Sequence, residues 1–258
     1  MGFFANLKGQ KAMSLHGKND YEGARKLYQE AYEAGMNDPR LLLAYSVLLL
    51  RMEAYKEARD LLVQIQKLPL GPEHKSQMYM NYAVACHKMG ETARAISILE
   101  RQHRKGTNGV MYQTLGYLYV EYFDASKPFV PLDPEADDDK FFSEKKVLTQ
   151  EESIAKVLAY NEEAIAYDDE DPICLDNLAQ TYYRVIGDKV KAKEWFDKAI
   201  AIKENQIDTL WFLSRYDLEE GNTAAAIEKL ETAAEGRFSP LNYARPEMIA
   251  AELKRLQG

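Results

Sequence analysis

The 258-residue sequence predicts an all-α protein of about six helical hairpins, on three observations. Small residues midway through successive first helices, Ala12, Ser46, Ala83, Gly116, Ala179 and Ser214, are separated by 34, 37, 33, 63 and 35 residues. Small residues early in second helices, Ala24, Ala58, Ala95, Ala192 and Ala226, recur with a step of 34 residues at both ends of the series. Helix-starting and turn-forming residues fall between these anchors where paired helices need them. One such pair cannot bury both of its faces, so hairpins with this period must stack on their neighbours.

The first repeat spans about 4–37, turns at Asn19-Asp20 and continues with Ala24, Tyr28 and Ala31 on one face of its second helix. Asp38-Pro39 opens the second, about 38–70, with proline in the first turn, where its missing N–H costs nothing. The third, about 72–106, starts at Gly71-Pro72, presents Tyr79, Tyr82, Ala83 and Cys86, and turns at Gly90-Glu91. A fourth, about 108–170, contains an insertion over 124–148, after which Thr149-Gln-Glu-Glu152 reads as a capping box. Asp171-Pro172 opens the fifth, about 171–205, which turns at Gly187-Asp188 and carries Ala192, Phe196 and Ala199. The sixth, about 206–238, places Leu210, Leu213 and Ser214 before a turn at Gly221-Asn222, then Ala226, Leu230 and Ala233. Residues 246–256, apolar at Met248, Ile249, Leu253 and Leu256, read as the capping helix that the end of a stack requires.

Two segments carry the signature of a known family. Tyr112-Gln-Thr-Leu115-Gly116-Tyr-Leu-Tyr119 and Leu175-Asp-Asn-Leu178-Ala179-Gln-Thr-Tyr182 match a first-helix pattern, and Ala192, Phe196 and Ala199 match its second-helix partner. The sequence therefore resembles the tetratricopeptide repeat family over nearly its whole length, apart from 124–148 and the C-terminal tail. The resemblance implies a single array, a right-handed α-solenoid, with first helices lining a concave face. The positions resembling the family's ligand-facing sites are Leu43, Val47 and Leu50, then Met80, Asn81 and Val84, then Gln113 and Tyr117. Asn177, Gln180 and Tyr183 follow, then Trp211, Phe212 and Arg215. The implied function is a protein–protein interaction scaffold whose concave groove takes a peptide or partner segment. In it Asn81, Gln113, Asn177 and Arg215 would fix orientation by hydrogen bonds. For each aromatic position, packing between hairpins is the alternative.

Leu41 to Leu50 is apolar all round, which is the pattern of a helix covered on every side. Either it lines an apolar groove around repeats two and three, or the first repeat wraps over it. A self-assembling homodimer seamed through this helix and the insertion is a rival reading, and a small-molecule-binding accessory protein is another. The insertion brings the aromatics Phe129, Phe141 and Phe142, of which Phe141 and Phe142 are expected to pack on the array, and the acidic run Asp137-Asp-Asp139. That run lacks the alternating spacing and central glycine of a calcium loop and reads as solvated charge.

A net charge of -8 argues against nucleic acid as a partner, since phosphate binding needs a basic surface. No apolar run is long enough to span a membrane, and the N-terminus lacks the apolar core of a signal peptide. Cys86 and Cys174 have no partner at CxxC spacing and read as buried thiols, which with the other signs places the protein in the cytoplasm. No phosphate loop, nucleophile elbow or metal-ligand spacing appears, so no cofactor and no catalysis are expected. The Lys, Asn and Arg clamp with which some family members hold acidic chaperone tails is missing. Gly9, Met13, Ala44, Gln77 and Asn81 stand at the corresponding sites.

Overall fold

The computed structural model describes residues 2–132 and 147–258. Among the described residues there are thirteen α-helices, one π-helical turn and no strand. The expected contacts of Phe141 and Phe142, and the acidic run at 137–139, lie outside the described residues. The chain divides into two compact units, Met1–Lys105 and Gly106–Gly258.

The first unit holds three hairpins: α1 (Gly2–Gly17) with α2 (Tyr21–Glu33), α3 (Pro39–Arg51) with α4 (Tyr55–Ile65), and α5 (Pro72–Lys88) with α6 (Thr92–His103). Neighbouring hairpins meet through α1 on α3, α3 on α5, and the second helix of each pair on the first helix of the next. Caps follow the sequence signals. Asp38 accepts from the Arg40 N–H and Asp20 from the Gly23 N–H, each satisfying a donor that a helix start leaves open. The anchors Ala12, Ala24, Ser46, Ala58, Ala83 and Ala95 are all fully buried, so the 34-residue step marks the points of closest helix approach.

Helix α3 shows which of its two readings holds. It is covered by α1, α2, α4 and α5, and of Leu41 to Leu50 only Ala44 and Val47 keep partial access to solvent. Leu43 and Leu50 are therefore core residues, not an open apolar groove. Enclosing a leucine side chain contributes roughly 1.5–3 kcal/mol, and α3 encloses six of them. The all-round apolarity of the segment is accounted for by packing alone.

The second unit holds α7 (Gly109–Tyr122) with α8 (Gln150–Tyr167), α9 (Pro172–Gln180) with α10 (Lys189–Ile202), α11 (Ile207–Glu219) with α12 (Thr223–Ala234), and a last helix α13 (Pro246–Gln257) on α12. The capping box at Thr149 is formed: its hydroxyl accepts from the Glu152 N–H, and the Glu152 carboxylate accepts from the Thr149 N–H. Helix α9 does not run on as a regular helix. It widens into a π-helical turn, Thr181–Ile186, ended by Gly187 in the left-handed region at φ +84°. Extra-wide turns of this kind re-aim side chains, and here the residue re-aimed is Arg184.

Candidate functional site

A pocket of about 440 Å³ opens in the second unit, walled by α7, α9, α11 and the segment joining α12 to α13. Its buried lining includes Tyr117, Asp176, Asn177, Gln206 and Asp208, whereas Val110, Lys203, Asn205, Arg237 and Ser239 are exposed and form the rim. Three first helices contribute because each presents the same face to its neighbour, one repeat further along.

The wall carries two buried carboxylates. Asp176 accepts from Thr209 Oγ1 at 2.6 Å and Gln180 Nε2 at 2.7 Å. Asp208 accepts from the backbone N–H groups of Tyr243 and Ala244 at 3.0 Å each, which ties the segment before α13 to α11. Burial, and then the charge of Asp208, push Asp176 well above the usual carboxylate range. Burial likewise raises Asp208, against the hydrogen bonds of Tyr243 and Ala244. Tyr117 is held neutral: burial first, then the charge of Glu121, raise its phenol far above the ordinary value.

Beside the pocket, the π-helical turn delivers Arg184 to a cluster at the end of α7. The guanidinium donates to Glu121 Oε1 at 2.6 Å, to Asp124 Oδ2 at 2.7 Å and to Gln180 Oε1 at 2.8 Å, and its carbon lies 4.1 Å from the Tyr243 ring centre. Asp124 is the first residue of the insertion, so the Arg184 cluster pins the root of that segment. The Ala125 N–H adds a 2.8 Å bond to the Arg184 carbonyl.

Comparison with known proteins agrees with this architecture. The family model described as tetratricopeptide repeat matches residues 15–69, which span the first hairpin's turn, α2, α3 and α4. Over that stretch the chain is similar to tetratricopeptide repeats. A thermophilic repeat protein of Thermus thermophilus superposes with a TM-score of 0.62 at 14% identity, over 85% of this chain and 99% of its own. PilW, a widely conserved type IV pilus biogenesis factor, superposes with the same score at 16% identity over the full length of both chains. MamA of Desulfovibrio magneticus RS-1 gives 0.53 at 19% identity, over 80% of this chain and 98% of its own. At such identities the likeness is one of fold. No curated protein matches the chain in sequence.

The helical hairpins distribute the fourteen sequence-predicted site residues unevenly. Gln113, Tyr117 and Asn177 line the pocket together. Gln180 sits behind it, bonded to Asp176 and Arg184. In the first unit Leu43, Leu50, Met80 and Val84 are buried, Val47 is half-buried, and half-buried Asn81 donates from Nδ2 to Ser46 Oγ at 2.9 Å. Tyr183 packs among Phe196, Phe212 and Tyr216, and Phe212 is itself buried. Trp211 lies under the Arg215 guanidinium at 4.3 Å, and Arg215 donates to Glu252 of α13 at 2.6 Å. The expected ligand-orienting arginine is thus occupied in fastening the capping helix.

Sequence reasoning passed over Asp176, Asp208 and Arg184. The available signal was a carboxylate directly after an apolar residue in each of two first helices, Leu175-Asp176 and Ile207-Asp208. Among the described residues no group of three or more His, Cys, Asp or Glu side chains is placed to hold a metal ion, and no helix is long and apolar enough to cross a membrane. Both Cys86 and Cys174 are buried free thiols, and burial raises the pKa of each.

Proposed function

We propose that the chain is a protein-interaction scaffold, and that the pocket on α7, α9 and α11 is where a segment of its partner docks. The observation that carries this reading is the pocket itself. It is about 440 Å³ in volume, within the range of ligand-holding clefts, and is built from the first helices of three consecutive repeats with both aromatic and polar groups in its wall. Gln113 and Asn177 already join α7 to α9, through Asn177 Nδ2 donating to the Gln113 carbonyl at 2.9 Å and Gln113 Nε2 to Asp171 at 2.6 Å. A partner would therefore meet a preformed wall and not have to order one, which lowers the entropic cost of binding.

Photo-crosslinking in the native host tests the proposal. A benzophenone amino acid at Val110, exposed on the rim, captures a defined partner, whereas the same probe at Val190, exposed at the start of α10 and outside the pocket, does not. Equal capture at both positions, or capture at neither, refutes it.

A further inference from the structure

Two polar groups in the pocket wall keep hydrogen-bonding capacity open on residues that are more than nine-tenths buried. The Gln206 side-chain amide makes no hydrogen bond to any described residue, and Asn177 Oδ1 receives none, its Nδ2 being committed to Gln113. Neither group is sealed from the open volume of the pocket, so both acceptors are available to a donor that enters it. The carboxylates beside them point to the kind of donor. Asp176 and Asp208 are bonded only to neutral groups, namely Thr209, Gln180, Asn242 and two backbone N–H groups, and neither forms an ion pair among the described residues. Arg184 reaches both electrostatically, but its charge is already offset by Glu121 and Asp124.

We propose that this pocket binds a guanidinium or primary ammonium group, carried as an arginine or lysine side chain on the docking segment. The source of the cation rests on the scaffold reading; the charge preference rests on the pocket. Rim cations Lys203 and Arg237 do not reverse that preference. They are exposed, where water and salt screen them strongly, whereas the carboxylates of the wall act from a desolvated position. A bound cation would complete hydrogen bonds from Asn177 Oδ1 and Gln206 Oε1 and supply the counter-charge that Asp176 and Asp208 lack. Because burial holds protons on this pair, the cation would also displace proton from it. The charged and titratable groups around the pair are Tyr117 of α7, Arg184 of the π-helical turn, Lys203 and Arg237 at the pocket rim, and Tyr243 before α13, with Glu121 and Arg245 acting on Tyr117.

Calorimetric titration of the full chain with three probes tests this: the peptide acetyl-Ala-Ala-Arg-Ala-Ala-amide, its citrulline counterpart, and free argininamide. Citrulline keeps the shape of arginine and removes the charge. The arginine peptide should bind at least about tenfold tighter than the citrulline peptide, as a charge-assisted hydrogen bond requires, and release proton near pH 6 in buffers of differing ionisation enthalpy. Asp208→Asn should weaken it about tenfold. Should that variant fail to fold, the arginine–citrulline comparison on the unaltered chain still decides. Equal affinity for the two peptides, or no binding by any probe at millimolar concentration, overturns the proposal. Argininamide binding as tightly as the peptide, with no crosslinked partner at Val110, retains the cation site and discards the scaffold reading. A crosslinked partner together with equal peptide affinities does the reverse.

Discussion

Arg184 donates through both Nε, at 2.9 Å, and Nη2, at 2.7 Å, to a single oxygen of Asp124, sixty residues earlier in the chain. The contact closes α7 onto the π-helical turn, and both side chains are almost wholly enclosed. Removing one member of a buried ion pair leaves the other charged and desolvated, at a cost of about 3–5 kcal/mol. Arg184→Met is expected to destabilise the chain by that amount in urea unfolding, with Glu121 and Asp124 both left uncompensated. A loss below about 1 kcal/mol would mean that the cluster is solvated and does not hold the turn.

Gly116 supplies the second prediction. A Cβ built there would stand 2.5 Å from Asn161 Oδ1 and 3.1 Å from Asn177 Nδ2, both on buried side chains. Asn161 cannot easily withdraw, because its Nδ2 is bonded to the Val157 carbonyl and to Thr181 Oγ1, each at 3.1 Å. Gly116→Ala should therefore cost about 1–3 kcal/mol by overpacking, against the usual gain of alanine over glycine in a helix. A thermal melt in which Gly116→Ala is more stable than the parent chain would contradict the placement of Asn161.

Much of the fold was legible because its determinants are local. Each small anchor is a site where a larger side chain would separate two helices, and the ten anchors other than Gly116 are fully buried in the structure. Thr149 and Glu152 announce a helix start three residues apart. The pocket was harder to find, since Asp176 and Asp208 sit on successive first helices and are buried only by packing from elsewhere in the chain. A carboxylate in isolation reads as surface. Helix α3 illustrates the same limit from the apolar side: ten apolar or small residues in a row fit an open groove or a covered core equally well, and only α1, α2, α4 and α5 decide between them. Arg215 is another case, because nothing in its own helix indicates that Glu252 will claim it.

The hairpin turn between α3 and α4 departs from its counterparts. Glu53 occupies the left-handed region at φ +58°, where Gly90 and Gly221 stand at +85° and +78° in their own turns and Asn19 at +63°. A side chain such as glutamate pays about 1–2 kcal/mol for that conformation, partly offset by the backbone entropy that glycine would lose on folding. Glu53→Gly should raise stability by about 0.5–1 kcal/mol, and Gly90→Ala should lower it by about the same. Paired urea titrations would check both signs. A Glu53→Gly variant less stable than its parent would show that the glutamate side chain makes a contact outweighing the strain.

The carboxylate pair gives a pH dependence with a definite sign. Burial raises both Asp176 and Asp208 above the 3.8 of a free aspartate, so the folded chain holds these protons to higher pH than the unfolded chain does. Stability from this source is complete below about pH 3.8 and is lost as pH rises through the raised values. Glu252 acts oppositely: the Arg255 hydrogen bond, with that of Arg215, holds it down to about 2, so its contribution is present above pH 4.5 and disappears only in strong acid. Comparing Asp176→Asn with the parent chain cancels the Glu252 effect. The neutral amide keeps an oxygen for Thr209 and relieves Asp208 of a like charge, so the variant should gain on the parent steadily between pH 5 and pH 8 in urea midpoint. A constant difference across that interval would mean that Asp176 is ionised throughout, and that the wall of the pocket is open to water.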